Sequence, residues 1–397
     1  MKNVIIVSLL IWTFSYAASA RLMFEKKDPN TELDTAKLIK KAGYPAEAHV
    51  VLTDDGYLLM MHRIPGKPGA PTIYLQHGII GSSADWILNA IQGNENSLAF
   101  LLADAGYDVW LGNIRGNTYS RGHVSLSTDD LMYWNFSWHE VGIYDLPAMI
   151  NYIVNMTGKP LKAYVGYSMG TTCFYVMGSE RPEMLELMQS SYSLAPIAFV
   201  KHFKGFLRLL EPFSNELRLF LHVMGEGEIL PQNFAIKILS KYFCSINHME
   251  EKVCSNLMFT LTGFDNLQFN YSMMPVISTH VPAGASSKMV FHYVQEMRSG
   301  YFRQFDYGEA ANMLKYNNLE PPSYDVSKIK VPHTIVCASN DWLSQPADVD
   351  QLISKLSIKP TVYKVPYENF NHVDYLFAIN ASKLVYEPLI RMINESN

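Results

Sequence analysis

A serine flanked by glycines two positions away on either side, Gly166-Tyr167-Ser168-Met169-Gly170, is the sharpest chemical signal in the chain. It follows the apolar run KAYVGY and precedes the helix-like TTCFYVMG. A strand turning this abruptly into a helix pushes the Ser168 hydroxyl out at the C-terminal edge of a sheet, and the glycines remove side chains that would collide there. A hydroxyl becomes a nucleophile only when a base takes its proton, and that base needs a third group to fix its tautomer. In strand–elbow–helix proteins the acid and then the histidine follow the serine along the chain. Of the twelve histidines, only His372 follows the last predicted strand, in YENFNHVDYLF. Asp341 stands just past the strand HTIVCAS, with room for one helix and one strand before His372. Asp348 and Asp350 fall inside the next helix, Asp325 precedes the strand, and His333 sits at the strand's start, the wrong edge. Acyl transfer also needs donors for the negative oxygen of a tetrahedral intermediate. The backbone N–H of Met169 is one, and the loop His77-Gly78-Ile79-Ile80-Gly81 offers Ile79 as the other, with His77 bracing the loop.

These residues need a sheet to position them, and the pattern supplies one. HVVLTDDGYLLMMHRI (49–64) reads as two strands around the turn Asp54-Asp55-Gly56. PTIYLQHGI (71–79), DVWLGNIRG (108–116), KAYVGYSMG (162–170), HTIVCASND (333–341) and TVYKVP (361–366) read as strands. Helices are predicted over 97–107, 143–158 and about 375–393. Such alternation implies an α/β fold, a mostly parallel central sheet flanked by helices. Between Pro196 and Pro322 the rhythm becomes helical, which predicts a core of 21–195 and 323–397 carrying a largely helical cap over 196–322. In the cap, Phe203, Phe206, Phe213, Leu217 and Phe220 either line an acyl tunnel or lipid-facing surface, or pack the cap onto the sheet.

The composition excludes several classes. Among 397 residues, 48% are hydrophobic and 17% charged, and the net charge is −5 with no basic run, so nothing favours nucleic acid. Four cysteines are too few for a disulfide scaffold. Neither H-E-x-x-H nor a phosphate-loop pattern occurs, and the chemistry above requires no metal or organic cofactor. Residues 1–20 carry Lys2, an apolar stretch and the small-residue site Ala18-Ser19-Ala20, the form of a signal peptide; a short membrane anchor is the alternative. No later run is long and apolar enough to span a bilayer, so a soluble, secreted product or one delivered to an acidic compartment is expected. Asn-x-Ser/Thr acceptors at Asn135, Asn155, Asn270, Asn380 and Asn394 agree with that route. Cys244 and Cys254 would close a short loop in an oxidising compartment, or remain two free thiols. Cys173 and Cys337 lie in apolar runs and read as core residues.

The chain resembles the acid lipases of the α/β-hydrolase fold, a group of gastric, lingual and lysosomal lipases with many insect relatives. The likeness runs through GYPAEAHVVLTDDGYLLMMHRIP (43–65), LQHGIIGSSADWI (75–87), VWLGNIRGNTYSRGH (109–123), the serine elbow, CSNLMFTLTGFD (254–265), SNDWLSQPADV (339–349) and NFNHVDYLF (369–377). It implies a cap with a movable lid, a nucleophile at Ser168, an acid at Asp341 and a base at His372. It also implies oxyanion donors at Ile79 and Met169 and the disulfide Cys244–Cys254. Two departures stand out. Many mammalian members flank the serine with histidine and glutamine, where this chain has Tyr167 and Met169; an unpaired cysteine of some relatives has no counterpart in Leu261-Thr262-Gly263. The expected reaction is hydrolysis of long-chain carboxylic esters at a lipid–water interface by a monomer, with triglycerides, cholesteryl esters and retinyl or wax esters all open. The rival from another class is a non-catalytic lipid carrier or yolk-type protein; such a protein is expected to lack one of the three residues, and all three are present.

Overall fold

The computed structural model describes residues 29–205, 208, 211–213, 227–229, 259–265 and 267–396. Among them, strands β1 (Glu47–Leu52), β2 (Tyr57–Ile64), β3 (Thr72–Gln76), β4 (Asp108–Gly112), β5 (Gly122–His123), β6 (Ala163–Tyr167), β7 (Ser191–Leu194), β10 (His333–Cys337) and β11 (Thr361–Lys364) form one sheet. The order is β1-β2-β4-β3-β6-β7-β10-β11, with β5 pairing β2. A separate two-residue ladder joins β8 (Glu228–Ile229) to β9 (Ala285–Ser286). From β4 to β11 all neighbours run parallel, while β1 and β2 form the antiparallel hairpin expected from Asp54-Asp55-Gly56. Gly56 sits in the turn at φ 96°, a conformation that costs glycine little.

The inner parallel strands β3, β4 and β6 are buried throughout, which is why they are continuous apolar runs, while the edge strand β11 is largely exposed. Alternate residues serve opposite cores. Tyr74, Trp110 and Tyr164 pack on one face with helices α3 (Leu146–Thr157) and α4 (Met169–Glu180). Ile73, Leu75, Val109, Leu111, Ala163 and Val165 pack on the other. That face is covered by α1 (Thr35–Lys41), α2 (Leu98–Asp104) and the C-terminal α10 (Glu387–Glu395). Between β7 and β10 come α5 (Met274–His280), α6 (Ser287–Ser299) and α7 (Glu309–Tyr316), and α8 (Pro346–Lys355) links β10 to β11.

Two elements differ from the sequence expectation. Strand β7 escapes an apolar-run criterion because Ser191 and Ser193 alternate through it; their hydroxyls meet His333 Nδ1 at 2.8 Å and the Tyr175 hydroxyl at 2.9 Å. The closing helix is not continuous over 375–393. It breaks after α9 (Asp374–Phe377), where Ala378 turns extended to pair with Phe269 and the Ile379 N–H donates to Gln268 O at 2.6 Å. A wide turn at Ser382–Tyr386 then leads into α10, whose first turn accepts Pro388 because no N–H is needed there.

Candidate active site

Strand β6 passes into α4 through one residue, Ser168, at φ 52° and ψ −122°. A non-glycine residue there costs about 1–3 kcal/mol and persists only where its surroundings hold it. They do so here: the Ser168 N–H donates to Leu194 O at 3.0 Å, and Ser168 O accepts from the N–H and hydroxyl of Thr171 at 2.8 and 2.6 Å. Both flanking glycines are sterically required. A Cβ on Gly166 would lie 2.9 Å from the Gly170 carbonyl carbon, and one on Gly170 would run into the carbonyl oxygen of Gln76 at the end of β3.

Two loops from later in the chain meet this serine. His372 Nε2 lies 2.8 Å from Ser168 Oγ, and His372 Nδ1 lies 2.9 and 2.8 Å from the two carboxylate oxygens of Asp341. All three side chains are buried. Asp341 Oδ1 is anchored by the N–H groups of Leu343 and Ser344 at 2.9 and 2.8 Å, so the carboxylate's orientation is set by its own loop. The competing candidates are engaged elsewhere. Asp348 accepts from the His202 N–H at 2.9 Å, Asp325 from the Ser327 N–H at 3.1 Å, and His333 is buried with its pKa pushed down to about 3. Asp350 is exposed on α8.

Facing the serine, Gly78 approaches so closely that a Cβ there would sit 3.0 Å from Ser168 Cβ. This brings the loop bearing Ile79 beside the elbow, where Met169 presents the first amide of α4, a position with no acceptor inside its own helix. His77 is fully buried. Its Nδ1–H donates to Gly78 O at 2.7 Å, and its Nε2 accepts from the Ile114 N–H and Asn117 Nδ2–H, both at 3.3 Å. Burial pushes its pKa down to about 4, so the ring is a neutral brace for the loop. Further along the same loop, Ile80 stands at φ 55°, and its carbonyl accepts from the Ala283 N–H at 2.6 Å.

The sequence missed two features of this site. Tyr167, noted only as a departure from relatives, donates its hydroxyl to His372 O at 2.8 Å and tilts its ring against the imidazole. The strip 259–265 touches both the acid loop and the histidine loop through its backbone, and its residue types gave no hint of this. Cys244 and Cys254 lie outside the described residues, as do Phe206, Leu217, Phe220 and the side chain of Phe213. Phe203 is buried and its ring stands 6.3 Å from that of Tyr293, a packing role. Cys173 is buried and Cys337 half-buried, neither in a disulfide. Of the five acceptor asparagines, Asn135, Asn155, Asn380 and Asn394 are exposed and Asn270 is half-buried.

A mostly parallel sheet with a strained serine elbow, closed by an acid and a histidine from the loops after β10 and β11, places the chain in the α/β-hydrolase class. Family models agree: a partial α/β-hydrolase lipase region matches residues 35–90, and the α/β-hydrolase fold matches 71–191. The Lip1 structure from Acinetobacter baumannii AYE superposes with a TM-score of 0.54 at 14% identity, over 94% of this chain and 100% of that one. Gastric triacylglycerol lipase of Bos taurus is 39% identical over 377 residues, 93% of each chain. Lipase 1 of Drosophila melanogaster is 39% identical over 94% of this chain and 83% of that protein. The chain belongs to the acid lipase family, serine carboxylic ester hydrolases of the α/β-hydrolase fold.

Proposed function

We propose that the protein hydrolyses esters of long-chain fatty acids, triacylglycerols foremost, through an acyl-enzyme on Ser168. The observation that carries this reading is the unbroken hydrogen-bond line from Asp341 through His372 to Ser168 at the mouth of the elbow. With Nδ1–H donated to Asp341, His372 keeps Nε2 free to accept the Ser168 proton as Oγ attacks the ester carbonyl. The N–H groups of Ile79 and Met169 receive the developing oxyanion. The imidazolium then returns its proton to the departing alcohol, and water repeats the cycle to release the fatty acid. Asp341 holds the ring's tautomer and stabilises its positive charge.

In this reading residues 1–20 are a signal peptide, 21–195 and 323–397 form the hydrolase core, and 196–322 form a cap and lid that meet the lipid–water interface. The protein is a secreted, digestive-type monomer, with lysosomal delivery as the alternative route. A Cys244–Cys254 disulfide ties the cap, and the exposed acceptor asparagines carry the glycans. The names of the gastric relatives favour triacylglycerol as substrate; the sequence and site chemistry leave cholesteryl and retinyl esters as outcomes of the test. That test is covalent labelling with an organophosphonate, followed by hydrolysis of emulsified triolein, cholesteryl oleate and a short soluble ester. Labelling at Ser168, loss of all activity in Ser168→Ala and preference for triolein are expected. An active Ser168→Ala protein refutes the assignment, and an unlabelled protein returns the lipid-carrier reading.

A further inference from the structure

The strip 259–265 stitches together the two loops that supply the acid and the base. Thr262 O accepts from the N–H groups of both Trp342 and His372, each at 3.3 Å. Gly263 O accepts from Asn371 Nδ2 at 2.9 Å, and Phe264 O from Asn340 Nδ2 at 3.0 Å. Gly263 holds φ 110°, and a Cβ on it would strike the Asn340 carbonyl oxygen and approach Asn371 Cβ to 3.1 Å. Only glycine fits where the strip presses into both loops.

The strip ends on a buried carboxyl that faces another. Asp265 and Asp374 are 2% and 0% exposed, and the Asp265 carboxyl lies beside that of Asp374. Asp265 Oδ1 accepts from the N–H groups of Leu267 and Gln268 at 3.0 and 3.3 Å, and from the Tyr367 hydroxyl at 3.4 Å. Asp374 Oδ2 accepts from the Asn371 N–H at 2.7 Å. The remaining oxygens, Asp265 Oδ2 and Asp374 Oδ1, have no donor among the described residues. Two adjacent buried carboxylates, each with a bare oxygen, would be strongly unfavourable. One proton between them gives the first a donor and the second an acceptor. The titratable groups around the pair are Asp341 and His372 from the two catalytic loops, Tyr167 at the end of β6, Tyr367 before the histidine loop and Tyr375 on α9.

We propose that Asp374 keeps its proton and donates it to Asp265, and that this contact clamps the His372 loop to the strip, making Asp265 a positioning residue for the base. The proposal rests on His372 being the base. Burial, with the neighbouring carboxyl groups of Asp265 and Asp341, holds Asp374 well above the usual carboxylate range. Folded Asp374 therefore keeps a proton that the unfolded chain sheds at about pH 4. The clamp is complete in acid and is lost as pH rises through the raised titration of Asp374.

The test uses the full chain as wild type, Asp265→Asn and Asp374→Asn, from about pH 4 to about pH 8, a range bracketing ordinary and raised carboxyl titrations. Either amide supplies a permanent N–H in place of the donated proton, in nearly the same shape. The expected result is a thermal midpoint that falls with pH in the wild type and falls less in both variants. The alkaline limb of kcat on a short soluble ester should move up by about one pH unit, about tenfold in rate on that limb, with KM unchanged. Wild-type slopes in both variants overturn the proposal, and so does failure of both to fold, since an amide mimics a protonated acid. The thermal midpoint needs no turnover, so it judges the pair even if Ser168→Ala remains active and the site assignment itself fails.

Discussion

Replacing Asp341 by asparagine tests the acid's role with little change of shape. Asp341 Oδ1 accepts the N–H groups of Leu343 and Ser344 at 2.9 and 2.8 Å, so in D341N the amide oxygen must occupy that position. The amide NH2 then falls where Oδ2 now lies, 2.8 Å from His372 Nδ1. A donor there, closer to Nδ1 than the amide oxygen at 2.9 Å, favours an accepting Nδ1, which moves the ring proton to Nε2. The imidazole would then donate to Ser168 Oγ, 2.8 Å away, instead of taking its proton. The same change in the Ser-His-Asp template costs about 10⁴ in kcat, which is about 5.4 kcal/mol of barrier. The expected outcome is a loss of that order in kcat on a short soluble ester, with KM little changed and a native circular dichroism spectrum. Stopped-flow acylation with a chromogenic ester should show the loss in the first turnover. A D341N protein within about tenfold of wild type would refute the tautomer argument, because a wrong tautomer costs about 10³ more than that.

Two further outcomes follow from packing and burial. Gly170→Ala drives a methyl into the Gln76 carbonyl oxygen at the end of β3; a loss of about 1–3 kcal/mol in urea denaturation is expected, with lower activity as the elbow shifts, and wild-type stability would contradict it. His77 is neutral in the fold, its pKa depressed from 6.5 to about 4. The unfolded chain takes up the proton first, so His77's contribution is present above about pH 6.5 and lost as pH falls towards 4, about 3 kcal/mol in all. His77→Gln should therefore lie below wild type at neutral pH and close part of that gap on acidification; a constant gap in denaturation midpoints would sink the claim.

The core strands are legible in the sequence because burial on both faces demands unbroken apolar runs, as in Thr72–Gln76 and Ala163–Tyr167. The elbow is legible because its strain is relieved by glycines at fixed positions. His372 and Asp341 follow from chain order once the sheet is in place. Strand β7 is obscure for the opposite reason: Ser191 and Ser193 are tolerated inside only because His333 and Tyr175 come from distant segments to satisfy them. The closing helix hides its break for a similar reason, since the pairing of Ala378 with Phe269 joins residues remote in sequence.

The contacts that hold the histidine in place share that property to a greater degree. Thr262 contributes a carbonyl, Gly263 a carbonyl and the lack of a side chain, and Tyr167 a hydroxyl aimed at a backbone oxygen. A carbonyl belongs to every residue type, so no residue-level pattern marks one that ties two loops together. The atoms proposed to react have to belong to particular side chains and are therefore visible in the chain. The groups that hold them within 2.8 Å of one another need only be well placed. Substitutions at Gly263 should therefore disturb the acid and histidine loops together, because the same short strip fixes both.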